Sequence, residues 1–295
     1  MFDIIAANGL QGHCYADDTQ LYISAPAVDA SPTVQRFITC VENIDLWMSR
    51  NRLKLNPDKT QVIWIGTRQQ LAKVKIDQLT LSGAVIQFST TVTDLGVLVD
   101  SQLTKADHVS SVCRSCFFQL RQLRQIRSAV TVDALKTLIH SFVSSRIDYC
   151  NSLLSGISDG TLRKLQSVQN AAARLLTGTC KFDHITPVLR DLHWLPVRQR
   201  IVFKVALMVF KCLHGLAPSY LADFCRPVSN MAGRRHLRSA DSGMLCVSRA
   251  RTVFGGRSFA VNGPATWNSL PEYLRSSGLS TELFIRQLKT FLFNK

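Results

Sequence analysis

Long apolar runs are missing from this sequence. No stretch of about eighteen consecutive apolar residues occurs in its 295 positions, so a membrane-spanning helix is excluded on length. The opening Met1-Phe-Asp-Ile-Ile-Ala-Ala-Asn8 lacks the basic n-region of a secretory signal and reads as the middle of a longer polypeptide. A disulfide framework is missing as well. Nine cysteines, an odd number, are scattered from Cys14 to Cys246, which argues against a disulfide-linked partner and for an intracellular, reducing compartment. Acid is scarce: 20 Asp and Glu stand against 35 Lys and Arg, for a net charge of +15. The apolar share is 46% and the charged share 19%, a balance that excludes a long disordered chain.

The scarcity of acid is local. Residues 1–100 hold 8 Lys and Arg with 10 Asp and Glu, while residues 101–295 hold 27 with 10, a net of +17. All of the basic excess therefore falls in the second part, which suits a region facing a polyanion, nucleic acid above all. The plainer alternative is a basic, well-solvated helical domain.

Patterning divides the chain in the same place. Residues 13–24 place apolar and aromatic residues on both sides of a short polar centre, which predicts two strands with Asp17 and Asp18 at the turn. Phe37, Val41, Ile44 and Met48 recur at helical spacing, and Asn56-Pro57-Asp58 ends that helix. Gln61–Gly66 predicts a buried strand, Leu79–Ile86 a hairpin turning at Ser82-Gly83, and Val92–Val99 a β run broken at Gly96. Beyond residue 105 the period becomes 3.6. Val109, Val112, Cys113, Cys116, Phe117, Leu120, Leu123 and Ile126 predict one apolar stripe, with Arg114, Arg121 and Arg124 away from it. Thr131 caps a helix carrying Leu135, Leu138, Ile139, Phe142 and Val143. A third helix runs from Leu162 to Leu176 and stops at Gly178, a fourth follows Pro196 towards Gly215, and a last spans about Thr281 to Phe293. Segment 226–257 is irregular, with seven Arg and five Gly or Pro. The fold class is α+β: hairpins and a helix in residues 1–100, then a mainly helical, basic region in 101–295.

Tyr15-Ala-Asp-Asp18 is the sharpest chemical signal. Adjacent carboxylates at an exposed hairpin tip can hold divalent metal where a phosphate approaches, and two-metal phosphoryl transfer needs such carboxylates from more than one segment. For the tetrapeptide taken alone an ordinary Asp-Asp turn is the favoured explanation, and the neighbouring motifs change that balance. The apolar-flanked tetrapeptide resembles the metal-binding hairpin of reverse transcriptase palms. Asn51-Arg-Leu-Lys-Leu-Asn-Pro-Asp-Lys-Thr60 resembles the next palm block of the non-LTR, LINE-type retrotransposon enzymes, and Thr93-Asp-Leu-Gly-Val97 the block at the primer grip. Asp148-Tyr-Cys-Asn-Ser-Leu-Leu154, Leu192-His-Trp-Leu-Pro-Val197, Leu216-Ala-Pro-Ser-Tyr-Leu221 and Gly263-Pro-Ala-Thr-Trp-Asn-Ser-Leu-Pro271 are similar to the tail of the jockey and chicken-repeat type elements.

The resemblance implies that Asp17 ligates metal with Asp18 as its companion, and that Tyr15 lies near the primer end. Lys59 is either a general acid near the pyrophosphate or an ordinary lysine leaving a helix. Magnesium, deoxynucleotides, an RNA template and a DNA primer are the implied cofactor and partners, and a nuclear location follows from the family. In the family a further aspartate strand and helix precede the Tyr-Ala-Asp-Asp hairpin, whereas Asp3 is the sole acid upstream of it here. The expectation is therefore a C-terminal fragment: partial palm in 1–100, thumb and C-terminal region in 101–295, inactive as a polymerase alone. A non-catalytic nucleic-acid-binding module and a functionless retrotransposon relic are the alternatives. Cys113 and Cys116 read as core cysteines rather than half of a zinc site. His193-Trp194 reads as packing at a helix entrance. Arg234, Arg235 and Arg238 either grip phosphates or keep a loop soluble.

Overall fold

The polypeptide of the computed structural model folds as two units, Met1–Asp107 and His108–Lys295, and the structure describes residues 1–230, 243–276 and 278–295.

In the first unit, α1 (Phe2–Ala7) leads into β1 (Gln11–Tyr15) and β2 (Asp18–Tyr22), which pair antiparallel from Gln11↔Tyr22 to Tyr15↔Asp18. Gly12 lets this hairpin sit close: a Cβ there would lie 3.1 Å from Ile5 Cδ1 and 3.2 Å from Leu21 Cδ2. Helix α2 (Ala30–Arg50) supplies most of the unit's apolar surface. Its Cys40 and Ile44 pack with Ile5 and Leu10, and its Val41 packs with Leu79, Leu81 and Ile86. After it come β3 (Val62–Ile63), the single turn α3 (Arg68–Leu71), β4 (Gln78–Leu81) and β5 (Ala84–Ser89). These strands form a sheet in the order β3-β5-β4, with β3 parallel to β5. A separate hairpin, β6 (Thr91–Asp94) with β7 (Val97–Asp100), turns through Leu95 at φ 44° and Gly96 at φ 79°.

The Gln61–Gly66 strand expected from sequence shrinks to two half-buried residues. Trp64 leaves the ladder, stacks on Phe88 at 5.0 Å and donates its indole N–H to Ile76, while Ile65 is exposed.

The second unit is helical. Helix α4 (Ala106–Ile126) begins at the boundary and buries Val109, Cys113, Cys116, Leu120 and Leu123. Phe117 and Ile126, expected on that stripe, are exposed, because the core accepts only the narrower face centred on Val109, Cys116, Leu120 and Leu123. Thr131 caps α5 (Val132–Ile139) by accepting from the Ala134 amide. The chain then widens through a π-helical turn, His140–Ser144, into α6 (Ser145–Asp148). That wider turn changes the helical phase, which leaves Phe142 exposed where a regular helix predicts burial.

Helix α7 (Asp159–Thr177) is capped by Ser158 and ends in Gly178 at φ 78°, and α8 (Ile185–Asp191) follows. Helix α9 (Val197–Leu213) enters after Pro196. Its Val197 and Ile201 join the core built on α4 to α8, whereas its Ala206, Val209, Phe210 and Cys212 join a second core. The rest of the second core comes from α12 (Phe259–Asn268), α13 (Thr281–Phe293) and connecting residues Leu195, Cys225, Leu245, Leu270 and Leu274, with α10 (Ser219–Ala222) half-buried against it and α11 (Val253–Arg257) leading into α12. Phe284, Leu288 and Leu292 of α13 sit one turn apart and are all buried, each worth about 1.5–3 kcal/mol on burial.

Candidate active site and nucleic-acid interface

The Tyr15–Asp18 pair closes the first hairpin, so Ala16 and Asp17 form a two-residue turn. Ala16 takes φ 54°, a region that favours glycine and costs a residue with a Cβ about 1 kcal/mol or more. Directly paired residues share a face. Gln11, His13, Tyr15, Asp18, Gln20 and Tyr22 therefore point one way, while Gly12 and Leu21 point towards α1. On the outer face His13 stacks on Tyr22 at 5.6 Å, and the Tyr22 hydroxyl lies 3.1 Å from His13 Nε2. Tyr15 is 70% exposed, and both Asp17 and Asp18 face solvent. Neither carboxylate enters an ion pair among the described residues.

Two glutamines connect this hairpin and the Asn51–Thr60 block to the same turn. Gln20, on the outer face of β2, donates its amide N–H to Asp94 Oδ1. Gln61 accepts from the Thr93 amide at 3.0 Å. Three stretches distant in sequence thus converge at the head of the β6–β7 hairpin. Within the Asn51–Thr60 block, Asn56 Oδ1 accepts from the Asp58 amide and the Thr60 hydroxyl donates to Asn56 O, folding Pro57–Lys59 into a tight turn. Lys59 is exposed on that turn, and no hydrogen bond or ion pair joins it to Asp17 or Asp18 among the described residues. Sequence reasoning overlooked Gln20 and Gln61. The available signal was the period-2 alternation that puts Gln20 on the face of Asp18.

The donor set at the hairpin tip is two oxygen ligands from adjacent residues. Among the described residues no group of three or more His, Cys, Asp or Glu gathers where a metal ion could bind. Carboxylates are the right chemistry for magnesium. Two from one turn nevertheless fall short of a two-metal centre, which draws on several segments.

In the second unit, Arg114, Arg121 and Arg124 all lie on the exposed side of α4. Arg234, Arg235 and Arg238 lie outside the described residues. Cys113 and Cys116 are buried in the core, and burial, reinforced by Cys113, pushes the Cys116 thiol up to about 11 despite Arg146 nearby. Both are packing residues.

The tail motifs are the brackets of the helical core. Arg200 of α9 grips Asp148 through Nε at 2.7 Å and through a second bond from Nη2, and Asn151 donates to the same carboxylate at 3.3 Å. The Leu192–Val197 segment is bolted to α7: Gln169 Nε2 donates to Leu195 O at 2.8 Å, and the Val197 amide donates to Gln166 Oε1 at 2.9 Å. Trp194 is buried edge-on against His140, whereas His193 is exposed at φ 55°. Only the tryptophan does the packing expected of that pair. In the last motif Trp267 donates its indole N–H to Gly243 O and packs its ring tilted against Phe284.

No family model matches the chain, and no solved structure matches it. It is 27% identical over 191 residues to a probable RNA-directed DNA polymerase from transposon BS of Drosophila melanogaster. The alignment covers 63% of this chain and 20% of that relative, so the match spans about a fifth of the relative's length. The chain thus carries Tyr-Ala-Asp-Asp at a hairpin tip and is similar, over most of its length, to part of a transposon RNA-directed DNA polymerase.

Proposed function

We propose that the chain is part of the RNA-directed DNA polymerase of a non-LTR retrotransposon. In this reading the first unit is part of the palm and contributes Asp17 and Asp18 to a magnesium-dependent nucleotidyl-transfer site, with Tyr15 beside the primer end and Lys59 near the pyrophosphate. The basic second unit is thumb and C-terminal region, and holds RNA template and DNA primer through Arg114, Arg121, Arg124 and the cluster Arg234, Arg235 and Arg238. The observation that carries the reading is the exposed two-carboxylate tip hydrogen-bonded through Gln20 to the Thr93–Val97 turn. The similarity to a transposon polymerase supports it.

Two carboxylates from one turn fall short of a two-metal clamp, and in this reading the chain alone does not polymerise. Primer extension on an RNA template with magnesium and deoxynucleotides tests this. The expected result is no product from the chain alone and product once a segment bearing a further palm aspartate is supplied in cis or in trans. That product should disappear with Asp17→Ala. Incorporation by the chain alone, abolished by Asp17→Ala, would overturn the incomplete-site reading.

A second reading, nucleic-acid binding without catalysis, is favoured by the net +17 of residues 101–295. Arginines on an exposed helix face meet phosphates, which carry no sequence information, so binding through Arg114, Arg121 and Arg124 should be sequence-independent and fall steeply with salt. Titration of the chain with an RNA–DNA hybrid at several salt concentrations gives the log–log slope. Changing Arg114, Arg121 and Arg124 to Ser should flatten it by about 0.7–0.9 for each phosphate that is no longer neutralised. A slope indifferent to that change would leave the α4 charge a solvated surface.

A further inference from the structure

Helix α4 carries two large rings on its wrong side. Its buried face is filled by Val109, Cys113, Cys116, Leu120 and Leu123. Phe117 and Phe118 lie outside it, 42% and 56% exposed. A single exposed apolar residue needs no explanation, but these two are adjacent and both have Arg114 and Arg121 as neighbours on the helix surface. Arg114, Phe118 and Arg121 are spaced i, i+4, i+7, and so are Phe117, Arg121 and Arg124, so two rows share Arg121. The one acid in the helix, Asp107, lies in its first turn, about two turns before Arg114. The face therefore alternates cation and ring, with no acid on its own helix beyond the first turn.

We infer that this face of α4 is a stacking platform for single-stranded RNA. Bases lie on Phe117 and Phe118 while Arg114, Arg121 and Arg124 hold the phosphates between them. The inference rests on the nucleic-acid-binding reading above and specifies its substrate. Charge complementarity selects a polyanion, and the rings select an unpaired one. A duplex keeps its bases stacked on one another and offers an exposed helix mainly phosphates and hydroxyls, whereas an unpaired strand offers a π face with every phosphate. Base–aromatic stacking tolerates any base, so the platform is indifferent to sequence.

The test uses the full chain at low salt with a fluorescent unpaired RNA of about twelve nucleotides and a blunt RNA duplex of the same length, within the site sizes such platforms occupy. Phe117→Ala/Phe118→Ala should weaken single-strand binding by about tenfold or more and leave duplex binding within about twofold. Far-UV circular dichroism melting should match the parent, since both rings are outside the core. In Phe118→Trp, the added indole fluorescence should be quenched by the single strand and not by the duplex.

If neither RNA form binds, the nucleic-acid reading of the unit fails and the platform fails with it. If both bind and the phenylalanine changes alter nothing, that reading stands and the platform is overturned. Self-association of the RNA-free chain that is abolished in Phe117→Ala/Phe118→Ala would assign the face to a second copy, and would also overturn it.

Discussion

Asp100 ends β7 and turns its carboxylate back on the following loop, accepting from the amides of Gln102, Thr104 and Lys105 at 3.2, 2.8 and 2.7 Å. Burial pushes its carboxyl up, but these amides and the Thr104 hydroxyl together hold it below the usual carboxylate range. A lowered folded-state value means the unfolded chain binds the proton more tightly. The contribution is therefore complete above about pH 4 and is lost as pH falls through the lowered value. Asp100→Ala, which strands three amides, should cost about 1–3 kcal/mol in urea unfolding of the first unit followed by Trp47 and Trp64 fluorescence, and should flatten the acid limb of its pH profile.

Thiols give a second residue-scale expectation. Burial pushes Cys225 up to about 12, with Cys212 hydrogen-bonded beside it, and Cys116 up to about 11. The thiolate is the nucleophile, so these cysteines should resist iodoacetamide at pH 8 while exposed Cys180 is alkylated, as mass spectrometry of the native and denatured chain will report. The exposed two-acid turn of the first hairpin was legible in the sequence because two acids flanked by apolar strands form a local pattern. Gln20 and Gln61 were not, because their partners Asp94 and Thr93 lie 74 and 32 residues away.

Elements with caps and a clear period were legible to within a residue or two. Helix α13 begins after the Ser280 cap, α7 stops at Gly178, and the Ser82-Gly83 hairpin forms as the turn residues dictate. Short α1 and α8 carry too few turns to show a period, and α12 contains Pro264, which argues against a helix in sequence. Periodicity also overstated the width of the buried face at Phe117 and Ile126, and could not foresee the π-helical turn that exposes Phe142.

Among the described residues two ion pairs link elements, with unequal consequence. Arg198–Asp159 joins side chains 60% and 67% exposed, whereas in Arg200–Asp148 they are 19% and 36% exposed. Arg198→Ala should change stability by no more than about 1 kcal/mol. Arg200→Ala should cost about 1.5–3 kcal/mol, because it removes a two-pronged charged hydrogen bond and leaves Asp148 with Asn151 alone. Chemical denaturation of both variants, read by circular dichroism of the helical unit, gives the comparison. Equal destabilisation would show that the bracket is no stronger than a surface pair.

At the scale of the whole molecule the two units differ in how much core each has. The first rests on two clusters of four buried residues each, bridged by α2, while the second has two large cores. Small cores are marginal, and the β1–β2 hairpin is a two-stranded sheet with free edges. Residues 101–295 alone should therefore be more soluble than the full chain, and calorimetry of the full chain should resolve two transitions, the weaker belonging to the first unit. A single cooperative transition together with equal solubility would refute this.

Helix α9 has a consequence for how such a sequence can change over time. It presents Val197 and Ile201 to one core and Ala206, Val209 and Phe210 to the other, so its two halves are keyed to different locks on one rigid shaft. One residue inserted or deleted between Ile201 and Ala206 would rotate everything downstream by about 100° and shift it by about 1.5 Å, pulling Val209 and Phe210 out of their core while Val197 and Ile201 stay in theirs. Substitutions in this span trade volumes, but a change of length there breaks one core or the other. A change of length within the shaft should therefore be selected against.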